Sequence, residues 1–179
     1  MASSAVTNIF NSLKTKKKTI PPIPQIVWEN PLYFVAFGLG SGTIPVAPGT
    51  FGTLMAIPFY LLLAPLPLIY YLIIVFLFII ISSWISERVS RDIAIHDHPG
   101  MCIDEFAGFF VTMIHAPHGL PWILLGFILF RLFDILKPWP ISWIDEKVHG
   151  GFGMVLDDIV AGLVSCAIIQ FVSFLFHVF

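Results

Sequence analysis

Charged residues are scarce in this chain. They make up 11 % of its 179 residues, while hydrophobic residues make up 58 %. A typical soluble domain has about 25 % charged residues. No Asp, Glu, Lys or Arg occurs between Asn30 and Ser86, and none follows Asp158. This scarcity argues against a soluble globular domain and indicates an integral membrane protein.

Basic residues are also few, and the net charge is −2. The basic cluster of the sequence consists of Lys14, Lys16, Lys17 and Lys18. A nucleic-acid-binding protein needs a basic stripe that neutralises phosphates, so the composition argues against that class. The cluster precedes the apolar bulk, which predicts a cytoplasmic flank under the positive-inside rule. We interpret residues 1–24 as a flexible basic tail and residues 25–179 as one membrane-embedded domain.

Two further absences narrow the fold class. The cysteines, Cys102 and Cys166, form no CxxC pair, so neither a zinc site nor a disulfide framework is indicated. No alternating strand pattern of any length occurs, and a spanning segment that is not part of a closed barrel must be helical. The sequence therefore predicts an all-α fold, an integral membrane bundle with several apolar helices.

Apolar runs place these helices. Residues 67–85 are long enough to span a bilayer, which takes about 20 residues. Residues 51–63 are shorter and form a partner span, or a re-entrant or tilted helix. Further apolar helices are predicted over residues 102–114, 122–136 and 154–179. Residues 86–101 are predicted to be polar and solvated, and residues 144–153 to form a polar, glycine-rich turn.

Five of the eleven acidic residues lie at or just inside the ends of apolar helices. They are Asp104 and Glu105, Asp134, and Asp157 and Asp158. Acids near hydrocarbon are costly unless they are paired, hydrated or bound to a ligand. Helix N-terminal capping is the alternative for each pair, but it fails for Asp134, which lies late in its helix. We therefore expect these carboxylates to converge. Ordinary solvation explains the other six acids, which are Glu29, Glu87, Asp92, Asp97, Asp145 and Glu146.

The stretch FRLFDILKPWP, residues 130–140, adds two cations to the same region. Steps of three residues keep Arg131, Asp134 and Lys137 within an arc of roughly 120° on one helix face. The alternative is a local i,i+3 ion pair, with Lys137 extending to the membrane interface. It accounts for each of the three residues separately. Carboxylate oxygens suit Mg²⁺, and Arg and Lys suit phosphate oxygens. Together these residues predict an interfacial polar site for metal-assisted phosphate chemistry.

A charge-free segment, GSGTIPVAPGTFGTL, offers a second candidate for anion binding. Its glycines leave the backbone accessible, and Thr50 and Thr53 place hydroxyls just before an apolar helix. Backbone N–H groups at a helix start can hold an anion. The alternative, which the pattern alone favours, is a proline-and-glycine turn in which Thr50 caps the helix. The segment has no Walker A motif.

Four stretches together resemble the phosphatidylglycerophosphatase A family of bacterial membrane proteins. They are GLGSGTIPVAPGTFGTL, IDEFAGFFVTM, FRLFDILKPWPISWID and GGFGMVLDDIVAGL, in the family's order across residues 38–163. The resemblance implies Mg²⁺-dependent hydrolysis of phosphatidylglycerol phosphate to phosphatidylglycerol and inorganic phosphate. It also implies a phosphatase domain in the bacterial inner membrane.

The resemblance assigns roles to nine positions. The expected catalytic carboxylates are Asp104, Glu105, Asp134, Asp157 and Asp158, of which Glu105, Asp134, Asp157 and Asp158 are the expected Mg²⁺ ligands. The expected phosphate-binding residues are Arg131 and Lys137, with Thr50 and Thr53 as further candidates. No aspartyl-phosphate, Cx₅R or histidine-nucleophile motif is present, so a metal-activated water is the simplest nucleophile. Five acids leave room for one metal ion or two.

The substrate and the lysine tail predict where the site lies. A phospholipid headgroup lies at the membrane interface, so we expect a multi-pass protein whose site faces the cytoplasm. The alternative from another class is an ion-coupled transporter or channel subunit, which can also use intramembrane carboxylates. A transporter should hold its acids near mid-helix and show internal repeats, and this sequence shows neither feature.

Overall fold

The computed structural model describes residues 23–95 and 98–178, and the predicted all-α fold is confirmed for them. No strand occurs within those ranges. The helices are α1 (Ile26–Glu29), α2 (Pro31–Ala36), α3 (Pro48–Leu63), α4 (Leu68–Ile93), α5 (Ile103–Thr112), α6 (Leu120–Leu136), α7 (Ile141–Lys147) and α8 (Gly150–Val178), with a 3₁₀ turn at Gly38–Thr43. The lysine cluster of the predicted tail lies outside the described residues.

Two helices are long and apolar enough to cross a membrane, namely α4 and residues Gly150–Phe176 of α8. Their outward faces carry large apolar side chains. Phe76 on α4 and Phe171 on α8 are each 63 % exposed. Apolar surface of this kind marks contact with lipid or with another apolar partner. These features agree with the predicted membrane helical bundle.

Helix α4 continues to Ile93, through the first half of the stretch predicted to be polar and solvated. The side chains of Arg88 and Arg91 are 60 % and 75 % exposed there, as that prediction requires, and the charged residues form intrahelical ion pairs. Arg88 Nε lies 3.1 Å from Asp92 Oδ2, and Glu87 pairs with Arg91 in the same i,i+4 spacing. Such pairs support the exposed face of a helix.

The loop after α4 is less solvated than predicted. His98 is fully buried. Its ring centre lies 5.2 Å from that of Phe37, and its Nδ1 accepts a hydrogen bond from the Gly100 N–H at 3.0 Å. The end of this loop therefore packs into the protein, just before α5 begins.

The polar turn predicted for residues 144–153 is helical at both ends, where α7 closes and α8 begins. Glu87 of α4 accepts a hydrogen bond from the Gly151 N–H at 2.5 Å, which satisfies one of the free donors of the first turn of α8. Because α8 begins this early, Asp157 and Asp158 lie about two turns inside it. Helix capping therefore cannot explain this acid pair.

Helix α8 is the centre of the packing and contacts α4, α5, α6 and α7. Its approach to α5 depends on two glycines. A Cβ added at Gly162 would lie 2.5 Å from the Gly108 carbonyl oxygen, and a Cβ added at Gly108 would lie 2.8 Å from the Asp158 carbonyl oxygen. Ala161 and Ser165, the other small residues of this stretch, are fully buried. Small residues let helix backbones approach closely, which brings the start of α5 to the turn of α8 that carries Asp158.

Candidate functional site

The five predicted carboxylates converge around Asp158. Oxygens of Asp104, Glu105 and Asp158 lie within 4.8 Å of one another, and so do oxygens of Asp134, Asp157 and Asp158. Because Asp158 belongs to both groups, the five form one acid cluster, contributed by α5, α6 and α8. The expectation that distant segments bring their acids together is confirmed.

The acid cluster is largely removed from water. Asp104, Asp157 and Asp158 are 8 %, 6 % and 4 % exposed. Burial of a carboxylate is costly unless the charge is paired or coordinates a metal. Within the described residues, two buried oxygens of the cluster, Glu105 Oε2 and Asp157 Oδ1, accept no hydrogen bond. The cluster therefore contains buried acceptor atoms that a bound cation could pair.

The electrostatics of Glu105 lead to the same conclusion. Burial raises the pKa of its carboxyl to about 8, and the charges of Asp158 and Asp134 add to this rise, against the opposing influence of Asp104 and Arg131. Carboxylates held this close repel one another unless a cation lies between them. Oxygen donors are the ligands that Mg²⁺ prefers. The donor set therefore fits a divalent metal ion, with Glu105, Asp134, Asp157 and Asp158 as the predicted ligands.

Arg131 bridges two of the three helices that build the acid cluster. Its Nη1 lies 2.5 Å from Asp134 Oδ2 on its own helix and 3.8 Å from Glu105 Oε1 on α5. The local i,i+3 ion pair considered as an alternative is thus present, but the guanidinium also reaches across to a second helix. Its buried Nε donates to no acceptor among the described residues, so a donor remains for an anion.

Lys137 is turned toward the acid cluster. It is the C-cap of α6, with a left-handed φ of 40°, and its Nζ donates to Asp157 Oδ2 at 2.6 Å and to Asp145 Oδ1 at 2.7 Å. Burial alone would lower the pKa of Lys137, but its hydrogen bonds to Asp145 and Asp157 and their charges outweigh burial and raise it. Lys137 therefore remains a cation at the edge of the cluster.

Asp145 is a residue of this site that the sequence reasoning missed. The sequence explains it by solvation, and its side chain is 43 % exposed, yet it shares the Lys137 ammonium with Asp157. It lies on α7, which follows the proline-rich turn after α6. Its place in the FRLFDILKPWPISWID block was the available signal, because that turn returns the chain toward Lys137.

Gly49 is the second residue that the sequence reasoning undervalued. A Cβ at this position would lie 2.2 Å from Glu105 Oε1 and 3.0 Å from Arg131 Nη2. The first turn of α3 therefore lies directly against the Glu105–Arg131 pair. The glycine-rich segment contacts the site through the backbone of Gly49, and any side chain at this position would displace a charged group.

The two candidate threonines lie in the same helix start. Thr53 is fully buried, and its hydroxyl donates to the Gly49 carbonyl oxygen at 2.9 Å. Thr50 is half-buried. The alternative in which Thr50 caps the helix is wrong, because the N-cap of α3 is Ala47. Phosphate binding by either threonine stays a prediction.

Comparison with known proteins gives relatives along most of the chain. The family model described as "Phosphatidylglycerophosphatase A" matches residues 34–173, a range that contains the whole acid cluster. The chain is 43 % identical over 150 residues to phosphatidylglycerophosphatase A of Escherichia coli (strain K12), covering 83 % of this chain and 87 % of that protein. It is 38 % identical over 150 residues to the protein of the same name from Haemophilus influenzae, covering 83 % and 92 %.

A third relative carries a different name. The chain is 32 % identical over 143 residues to a Bacteroides thetaiotaomicron protein named as a candidate phosphatidylinositol-3-phosphatase, covering 75 % of this chain and 89 % of that protein. No solved structure matches the chain.

Proposed function

This chain belongs to the phosphatidylglycerophosphatase A family, and we propose that it hydrolyses phosphatidylglycerol phosphate to phosphatidylglycerol and inorganic phosphate. The observation that carries the proposal is the acid cluster, five carboxylates from three helices with Arg131 and Lys137 against them. Acids that hold a metal, beside bases that bind phosphoryl oxygens, are the groups that metal-assisted phosphate hydrolysis requires. The transporter alternative has no support, since the two most similar relatives reported above are named as phosphatases.

Mg²⁺ is the proposed cofactor, held by Glu105, Asp134, Asp157 and Asp158. When bound, it would supply Lewis-acid chemistry, which neutralises phosphate charge and makes water a better nucleophile. The two unpartnered buried oxygens, Glu105 Oε2 and Asp157 Oδ1, support this assignment. A bound Mg²⁺ would keep some water ligands, so the four carboxylates would be enough to hold one ion, or two ions between them.

The protein's own side chains bind the phosphate and move the proton. Arg131 and Lys137 bind the non-bridging phosphoryl oxygens and neutralise the charge that they carry as the transition state forms. Asp104, the acid outside the proposed metal set, accepts a proton from the attacking water. The new bond joins the water oxygen to phosphorus, and the bond from phosphorus to the glycerol oxygen breaks. The glycerol oxygen takes up the proton that Asp104 received and leaves as the alcohol of phosphatidylglycerol.

The proposed location is the bacterial inner membrane, with a multi-pass arrangement and the site at the cytoplasmic surface. The two long apolar helices and their exposed apolar faces support embedding in a bilayer. The lysine cluster at residues 14–18 supports the cytoplasmic side. At an interface, the headgroup can reach the acid cluster while the acyl chains stay in the lipid.

Phosphate release by the purified protein tests the function. With Mg²⁺ present, we expect release from phosphatidylglycerol phosphate and much slower release from phosphatidylinositol 3-phosphate in the same micelles. The second substrate is the comparison because one relative is named for it. A protein that is folded but releases no phosphate from phosphatidylglycerol phosphate would remove the proposal. Faster release from the inositol lipid would show that the proposed substrate is wrong, although the proposed site would stand.

Gly49→Ala is expected to lower the rate of release by roughly tenfold or more, because the added methyl group would lie 2.2 Å from Glu105 Oε1 and displace it. Moving that carboxylate disturbs both the proposed metal site and its contact with Arg131. The thermal unfolding midpoint should change little, since Glu105 can rotate away. Gly49→Ser should be at least as impaired. Wild-type rates in both variants would show that close backbone approach at this point is dispensable.

A further inference from the structure

An apolar groove lies beside the acid cluster, and none of the chemistry above uses it. It is formed by α2, the 3₁₀ turn, α3, α4 and α5, and its volume is about 380 Å³. Every residue that lines it is apolar, among them Leu39, Leu63, Ile74, Phe78 and Ile103. A groove of this size and character, next to a polar site, is the usual form of a pocket for the apolar part of a ligand.

The groove begins where the acid cluster is. Ile103 and Phe106 line it from the first turn of α5, and Asp104 and Glu105, which lie between them in sequence, point into the cluster. From there it follows the same helix to Phe110. One turn of α5 thus presents carboxylates to the site and apolar side chains to the groove.

Helix α3 shows the direction of the groove and how far it reaches from the acid cluster. Gly49, in its first turn, lies against Glu105 at the site, whereas Phe59, Leu62 and Leu63, near its end, line the groove. Thirteen residues separate Gly49 from Leu62, which is about 20 Å along the helix axis. The groove therefore leads away from the acid cluster along α3, toward the far end of that helix.

Aromatic rings form the middle of the wall. The Phe78 ring centre lies 5.2 Å from that of Phe110, and the Phe59 ring centre lies 5.8 Å from that of Phe106. Ring pairs at these distances are packed against each other. The wall is therefore formed before any ligand arrives.

We propose that this groove binds one fatty acyl chain of the phospholipid substrate while the phosphate lies at the acid cluster. The proposal rests on the proposed function, which puts the headgroup at that site. In a bilayer, the acyl chains of one leaflet extend over about 15 Å, half of the ~30 Å hydrocarbon core. A lipid held by its phosphate at one end of the groove has an apolar chain of matching length to lay along it. The groove thereby selects a membrane-anchored phosphate ester over a water-soluble one.

Two adjacent isoleucines of α4 provide the test. Ile74 is half-buried and lines the groove, whereas Ile73 is 48 % exposed and does not line it. Each is replaced by Trp, and kcat/KM is measured in one detergent for phosphatidylglycerol phosphate with long (dioleoyl) and short (dibutanoyl) chains. We expect Ile74→Trp to reduce the long-chain to short-chain ratio of kcat/KM about tenfold, mainly through KM. Ile73→Trp should leave the ratio at the wild-type value.

A second matched pair covers the case in which Ile74→Trp does not fold. Leu62 lines the outer end of the groove and is 72 % exposed, so Trp is accommodated there, and its exposed neighbour Leu61 is the control. Leu62→Trp should reduce the ratio and Leu61→Trp should not. If both lining variants are folded and keep the wild-type ratio while the wild type is active, the groove proposal is overturned and the proposed function stands. If the wild type hydrolyses neither lipid, both proposals are overturned together.

Discussion

Asp158→Asn is expected to reduce phosphate release from phosphatidylglycerol phosphate by about 10³-fold or more. Asp158 belongs to both carboxylate groups of the acid cluster, so it lies at the point where α5, α6 and α8 meet. Asparagine keeps the shape of the side chain but removes the negative charge and one of the two oxygens. A site that holds a cation by several carboxylates loses most when the shared one is neutralised. Initial rates of phosphate release measure the effect.

The stability of the same variant separates a functional role from a structural one. Asp158 is 4 % exposed within a group of like charges. Without added divalent metal, neutralising it relieves repulsion, so the unfolding midpoint of Asp158→Asn should equal or exceed that of the wild type. Glu146→Gln, the same change at an exposed acid of α7, should keep the activity within about twofold, as surface substitutions usually do. Asp158→Asn with a tenth or more of wild-type activity would contradict the proposed site.

Asp134→Asn and Asp157→Asn are expected to behave in the same way. Each residue also contacts a basic side chain of the site. Asp134 forms an ion pair with Arg131, and Asp157 accepts a hydrogen bond from Lys137. Each variant therefore loses an acid of the cluster and loosens a side chain that is proposed to bind phosphate. A loss larger than that of a Glu146→Gln control, with the fold retained, is the result expected.

The convergence of the acids could be predicted from the sequence because the physical constraint is strong. A chain that places carboxylates near apolar segments must pair, hydrate or coordinate them. Bringing the three segments together lets the acids share Arg131 and Lys137, and would let them share a metal ion. The spacing of Arg131 and Asp134 also predicts their contact, since three residues separate neighbours on one helix face. In both cases the sequence contains the cause of the contact.

The contacts of Gly49 and Asp145 could not be predicted in the same way. Gly49 touches Glu105 because of the position at which α3 crosses α5, and Asp145 reaches Lys137 because α7 returns after α6. Neither relation follows from a periodicity within one helix. The predicted start of α8 was wrong for a similar reason. The start of α8 is stabilised by Glu87, a residue of α4 that is 64 positions away in sequence from Gly151.

Removal of divalent cations is expected to abolish activity and also to lower the stability of the folded protein. Glu105 Oε2 and Asp157 Oδ1 are buried acceptors without a hydrogen-bond partner in the described part of the chain, so a bound cation would offset their desolvation. Excess chelator should stop phosphate release, and added Mg²⁺ should restore it. A ligand at about 100 times its Kd adds about 2.7 kcal/mol to the stability, which corresponds to a rise of roughly 5–10 °C in the unfolding midpoint.

The thermal shift distinguishes a metal bound at the acid cluster from a metal that binds only to the substrate phosphate. In the absence of lipid substrate, Mg²⁺ should raise the midpoint of the wild type and of Glu146→Gln but not that of Asp158→Asn. Activity that persists undiminished in excess chelator would exclude the metal. A midpoint shift that survives in Asp158→Asn would place the ion elsewhere. If the midpoints shift as expected, the five carboxylates repel one another in the absence of metal because three separate helices hold them in position to bind a cation.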